Sequence, residues 1–137
     1  MIKVGDTISK RYVFTREKIR FFAEETGDTN PLHHDEARAA ASRFGGIIAC
    51  GAHMSGVLMS LGAAQAAEQQ GENVGLDFSF RFRKAIPAGM AATFSWTVTE
   101  IEWSDKLKGD LIKSEGYIKD DAGTVYVVGH SKAVLWR

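Results

Sequence analysis

From Phe44 to Ala67 the chain carries no Asp, Glu, Lys or Arg, and from about Gly75 onward its apolar residues recur at every second position. An uncharged helix followed by long alternating strands leaves few folds open. The uncharged segment has a length that could cross a bilayer. It holds five glycines, two serines, His53 and Gln65, however, and many of its apolar positions are only alanine. On a transfer scale such a segment falls far below a leucine-rich span, so no membrane crossing is expected. Within "CGAHMSGVLMSLGAAQAAE" one apolar stripe runs through Met54, Leu58 and Leu61 with Val57 beside it, and the other faces are Gly, Ala and Ser. Small residues all round let neighbouring elements approach such a helix on several sides.

The period of two shows what surrounds it. In "LDFSFRF" Leu76, Phe78, Phe80 and Phe82 alternate with Asp77, Ser79, Arg81 and Arg83, and "ATFSWTVTEIEW" alternates through Phe94, Trp96 and Val98. "DLIKSEGYIKD" and "TVYVVGHSKAVLWR" add two long strands joined through the turn "DDAG". Four long antiparallel strands after one buried helix predict a curved sheet wrapped around that helix, an α+β architecture. Trp96, Trp103 and Trp136 lie in these strand patterns and read as core or interface residues rather than ligand stackers.

The first half is helical. A short strand is expected around Met1 to Val4. Thr15 then caps a helix whose apolar residues Ile19, Phe22 and Ala23 recur at helical spacing, with Arg16, Glu17, Arg20 and Glu24 on the solvated side and Gly27 as a stop. Pro31 turns Asn30 toward extended geometry. A second helix is expected through "DEARAAASRF", ending at Gly45 and Gly46.

A length of 137 residues fits one domain, residues 1–137, and 17 basic against 17 acidic residues leave no basic excess for a nucleic-acid footprint. Cys50 is the single cysteine, so no intrachain disulfide forms, and the N-terminus lacks the apolar core of a secretory signal. The cytoplasm is the expected compartment.

The chemistry gathers in "GDTNPLHHD". Asp28 and His33 are five apart, which a regular helix would not place on one face. With Pro31 between them the backbone turns, and a turn can bring both side chains into one cleft, where an acid and an imidazole can activate water near neutral pH. The same residues admit a plainer reading: Asp28 closes an Asx turn near Asn30, and His33 is a satisfied histidine on a helix flank. A second feature favours the chemical reading. "IIACG" leads straight into the small-residue helix, so backbone N–H groups from Gly51 to His53 sit at a helix N-terminus and can hold an oxyanion. His33, His34, Asp35 and His53 fit no common zinc spacing, no Gly-rich phosphate loop is present, and Cys50 reads as a buried structural thiol rather than a nucleophile.

At these residues the sequence resembles the MaoC-like hydratases, in particular the R-specific enoyl-CoA hydratases of the hotdog fold. The motif is an acid, then Asn-Pro-Leu-His, then an Asp, and it runs here from Asp28 through His33 to Asp35. "FAEETGD", "IIACG" and "FRFRKAIPAG" also fall in family order. The resemblance implies that Asp28 and His33 activate the water and deliver its proton, that Asn30 helps orient them, and that the Gly51 N–H is the oxyanion-hole donor. Arg81, Arg83 and Lys84 form a basic group on one strand that suits the phosphates of coenzyme A or is simply a solvated strand face, and the family's substrate-binding hydroxyl on the helix falls near Ser55, with Ser60 close by. Cys50 stands where the family often carries His. No metal or redox cofactor is implied, coenzyme A being part of the substrate. The implied partner is another copy of the chain, as a homodimer or a dimer of dimers, since a sheet around one helix leaves an edge strand to cover.

Two rivals share this scaffold. A thioesterase would direct water at the carbonyl carbon and release a thiol, and a non-catalytic acyl-CoA-binding module would bind without turnover. A dehydratase for branched, dicarboxylic or aromatic acyl groups also fits the same residues.

Overall fold

A computed structural model describes residues 1–68 and 71–137 of the chain. A five-stranded antiparallel sheet, in the order β1-β3-β4-β5-β2, wraps one long helix. The strands are β1 (Thr7–Val13), β2 (Glu72–Phe82), β3 (Ala91–Ser104), β4 (Gly109–Lys119) and β5 (Val125–Trp136). The helices are α1 (Arg16–Thr26), α2 (Glu36–Ala41) and the wrapped helix α3 (Gly51–Glu68), with a single 3₁₀ turn at Pro31–His33.

The stripe Met54, Leu58 and Leu61 faces the sheet and is buried with Phe94, Trp96, Ile118 and Val127. Strand register explains how a sheet can close this tightly on a helix. Trp96 on β3 pairs with Gly116 on β4, which pairs with Gly129 on β5, which pairs with Phe80 on β2. The indole lies across the two glycines, where a Cβ would come within 2.5 Å of it at Gly116 and 3.1 Å at Gly129. Its Nε1–H donates to the Leu58 carbonyl at 2.6 Å, tying the sheet to the middle of α3. In the next row Val98, Ser114, Ser131 and Phe78 are paired, with no side chain as large as the Trp96 indole. A cavity of about 400 Å³ opens beside the second half of α3, lined by Met59, Gly62, Ala66, Phe78, Trp96 and Ser131 among others. Among the described residues no helix is long and apolar enough to cross a membrane.

Most expected elements are present. Thr15 caps α1 by accepting from Lys18 N–H, and Gly27, at φ 78°, ends it. Three expectations need correction. The first strand lies at Thr7–Val13 rather than Met1–Val4. Its centre, Ser9-Lys10-Arg11, is exposed and polar, and only Ile8 and Tyr12 on either side pack against the core, while the backbone ladder to β3 holds the strand in line. The second helix stops at Ala41, short of Phe44, with Ser42 turning to extended backbone. Leu76 does not face the core: a bulge between Gly75 and Asp77 leaves it out of the ladder and exposed. One inserted residue is enough to break a period of two.

Candidate active site

The site is built where α1 stops. Asp28 N–H donates to the Ala23 carbonyl at 2.8 Å, ending the helix. One carboxylate oxygen of Asp28 then accepts from Asn30 N–H at 3.0 Å. The Asn30 side-chain oxygen accepts from Leu32 N–H at 3.0 Å, capping the 3₁₀ turn that Pro31 begins. The plainer Asx-turn reading is therefore correct as local structure, and this turn also delivers the chemical pair. His33 Nε2 lies 3.5 Å from the other carboxylate oxygen of Asp28. The imidazole is buried, at 6% exposure, while the carboxylate is 35% exposed, so the pair opens to solvent on the acid's side.

The tautomer of His33 follows from its other nitrogen. Nδ1–H donates to the Ile48 carbonyl at 2.7 Å, because a carbonyl can only accept. In neutral His33 the lone pair is then on Nε2, facing Asp28. Ile48 belongs to a strap held on both sides: its N–H donates to the Leu32 carbonyl, and its neighbours bond across to Ile86 and Ala88. Ile48 and His34 are positioning contacts that sequence reasoning missed. His34 stands beside the motif in plain view, but its bond to the Asp28 carbonyl depends on the fold of the turn.

The strap leads into α3. The Cys50 carbonyl accepts from His53 N–H and Met54 N–H, while no acceptor among the described residues takes the Gly51 N–H. Burial pushes the Cys50 thiol pKa up, backbone N–H donation at His53 lowers it in part, and the charge of Asp28 raises it again. A protonated thiol is no nucleophile. The His33 bond to Ile48, three residues before Gly51, holds the imidazole close to the start of α3. A Cβ on Gly51 would sit 3.3 Å from the ring of Phe82, the last residue of β2, so this glycine allows an aromatic plate to lie on the helix start.

Other expected residues divide. Arg83 and Lys84 follow Phe82 directly and both donate backbone N–H to the Tyr126 carbonyl. With Arg81 they are exposed, and none of the three has an ion-pair partner among the described residues. They flank the strand end that covers Gly51. Ser55 makes no hydrogen bond to Asp28 or His33 among the described residues. Its hydroxyl donates to the Ala52 carbonyl at 3.1 Å, and Ser60 likewise donates to Gly56, as helix hydroxyls do. The cavity also lies away from the pair: it begins at Met59, eight residues and about 12 Å along the helix from Gly51.

His53, facing the opposite flank, is buried against Phe22, with ring centroids 4.7 Å apart, and shares a 2.8 Å hydrogen bond with the Tyr12 hydroxyl. Its Nδ1 is buried without a partner among the described residues. Burial holds its pKa below the ordinary 6.5, and the Lys18 charge adds to this. In the unfolded chain His53 binds a proton as the pH falls through about 6.5, while in the folded chain it stays neutral to lower pH. Stability is therefore expected to fall below that pH, read as lower urea midpoints, and His53→Leu is expected to flatten this dependence.

A five-stranded antiparallel sheet wrapped on one long helix is the hotdog fold. The chain belongs to the MaoC like domain family, whose model matches residues 3–115. It is 34% identical over 134 residues to a UPF0336 protein of Thermobifida fusca, covering 90% of this chain and 84% of that one. Among solved structures it is similar to the (R)-hydratase from A. caviae involved in PHA biosynthesis, at 25% identity and a TM-score of 0.80 with 96% of both chains covered. The MaoC-like dehydratase from Rhodospirillum rubrum is also similar, at 25% identity and a TM-score of 0.81, with 99% of this chain and 94% of that one covered.

Proposed function

We propose that this protein hydrates trans-2-enoyl-CoA to (R)-3-hydroxyacyl-CoA, and runs the reverse dehydration. The observation that carries the reading is the 3.5 Å approach of His33 Nε2 to Asp28, beside a helix whose first N–H has no acceptor among the described residues. Water between the pair loses a proton as its oxygen bonds to C3 of the enoyl group. The π electrons move onto the thioester oxygen, where the Gly51 N–H and the positive end of α3 stabilise the enolate. The enolate then collapses and C2 takes a proton back from the pair. Nδ1–H of His33 is fixed on Ile48, so Nε2 is the nitrogen that gains and returns the proton. The reaction is redox-neutral and asks for no electron carrier.

The exposed cations Arg81, Arg83 and Lys84 suit the phosphates of coenzyme A, and the apolar cavity along α3 suits the far part of an acyl chain. β2 is a sheet edge with Val74, Leu76 and Phe82 exposed. Pairing with β2 of a second copy would cover that edge and enclose the site. The test is ultraviolet absorbance of trans-2-enoyl-CoA over a panel of chain lengths, with a thiol reagent in parallel. Loss of enoyl absorbance without free thiol is expected. Free thiol would instead establish a thioesterase, and no change at any chain length would favour a binding module.

A further inference from the structure

Both peptide planes that flank the Cα of Asp28 are held. The plane before it is fixed by Asp28 N–H donating to Ala23, and the plane after it by the Asp28 carbonyl, which accepts from His34 Nε2–H at 2.6 Å. With both planes fixed, the direction of the Cα–Cβ bond is fixed too. The remaining side-chain freedom is closed by Asn30 N–H on the carboxylate. The His34 bond spans six residues and closes a ring around the turn that carries Asn30 and His33.

We propose that His34 is a positioning residue: by pinning the Asp28 carbonyl it aims the Asp28 carboxylate at His33 Nε2. This rests on the reading of Asp28 and His33 as the proton-transferring pair. Because a carbonyl accepts only, the ring must carry its proton on Nε2, and both neutral and charged imidazole can do so. The bond therefore survives across the working pH range. Leucine at this position has no donor, whereas glutamine carries an N–H₂ at similar reach. A displacement of about 1 Å at a reacting group can cost on the order of a hundredfold in rate, so the clamp has scope to matter.

The test compares His34→Leu and His34→Gln in the full chain by steady-state hydration kinetics and by amide hydrogen exchange at Asn30, whose N–H is held by the Asp28 carboxylate. His34→Leu is expected to lower kcat about ten- to hundredfold with KM within about twofold, and to speed exchange at Asn30. His34→Gln is expected to recover most of both. Unchanged kcat in His34→Leu, or a glutamine variant as slow as leucine, overturns the proposal. If the wild-type protein hydrates no enoyl thioester, the functional reading fails separately. Exchange at Asn30 then decides alone, and an unaltered rate in both variants overturns the clamp.

Discussion

Asp28→Asn is expected to lower the hydration rate by about 10²–10⁴-fold, the range for losing a general acid or base, while leaving the melting temperature within a degree or two of wild type. The substitution is nearly isosteric. An asparagine oxygen still accepts from Asn30 N–H, so the turn that carries Pro31 and His33 keeps its closing bond. What disappears is the charge and basicity 3.5 Å from His33 Nε2. Without the carboxylate, a proton arriving on the buried imidazole has no neighbouring negative charge to stabilise it, and the water loses one of its two acceptors. Both effects raise the barrier for attack on C3 and for return of the proton to C2. Binding of the thioester should change far less, because the Gly51 N–H and the cations at Arg81, Arg83 and Lys84 are untouched. The expected signature is a fall in kcat with KM nearly unchanged. Hydration within a few-fold of wild type by a folded Asp28→Asn protein would remove Asp28 from the chemistry, and with it the reading of this turn as an active site.

Reading from residues to structure worked where one periodicity or one motif determines the outcome. The stripe Met54, Leu58 and Leu61, with small residues on the other faces, identified α3 as the wrapped helix, and the alternation through Phe94, Trp96 and Val98 identified a strand facing it. The pair Asp28 and His33 was visible because proline and asparagine announce a turn between them. Contacts between distant segments were not visible. Ile48 orients His33 through a backbone carbonyl that any residue type could supply. Phe82 was expected among the inward phenylalanines of β2, but it lies on Gly51 with 49% of its surface exposed. β1 was hidden because an edge strand with a charged middle has no period to read. In each case the missing information was which segment packs against which, and local sequence does not contain it.

Trp96→Ala is expected to destabilise the fold by about 3–5 kcal/mol, a large part of the roughly 5–15 kcal/mol that holds a domain together. The indole is buried and fills the space that Gly116 and Gly129 leave in the sheet. Truncation leaves a void there that two glycines cannot fill. The new void would merge with the existing cavity of about 400 Å³ that Trp96 already lines, so collapse of the surroundings offers little relief. The Leu58 carbonyl also loses its 2.6 Å donor, and α3 loses its hydrogen-bonded tie to β3. Trp103→Ala provides the control. That indole is 56% exposed and bonds to Asp105 two residues away, so its loss is expected to cost about 0.5 kcal/mol or less. Urea unfolding of the two variants measures the difference as a shift in midpoint at constant slope. Equal midpoints would mean that the Trp96 row does not hold helix and sheet together. A large shift for Trp96 alone would show that the indole that closes the core also ties α3 to the sheet through its bond to Leu58.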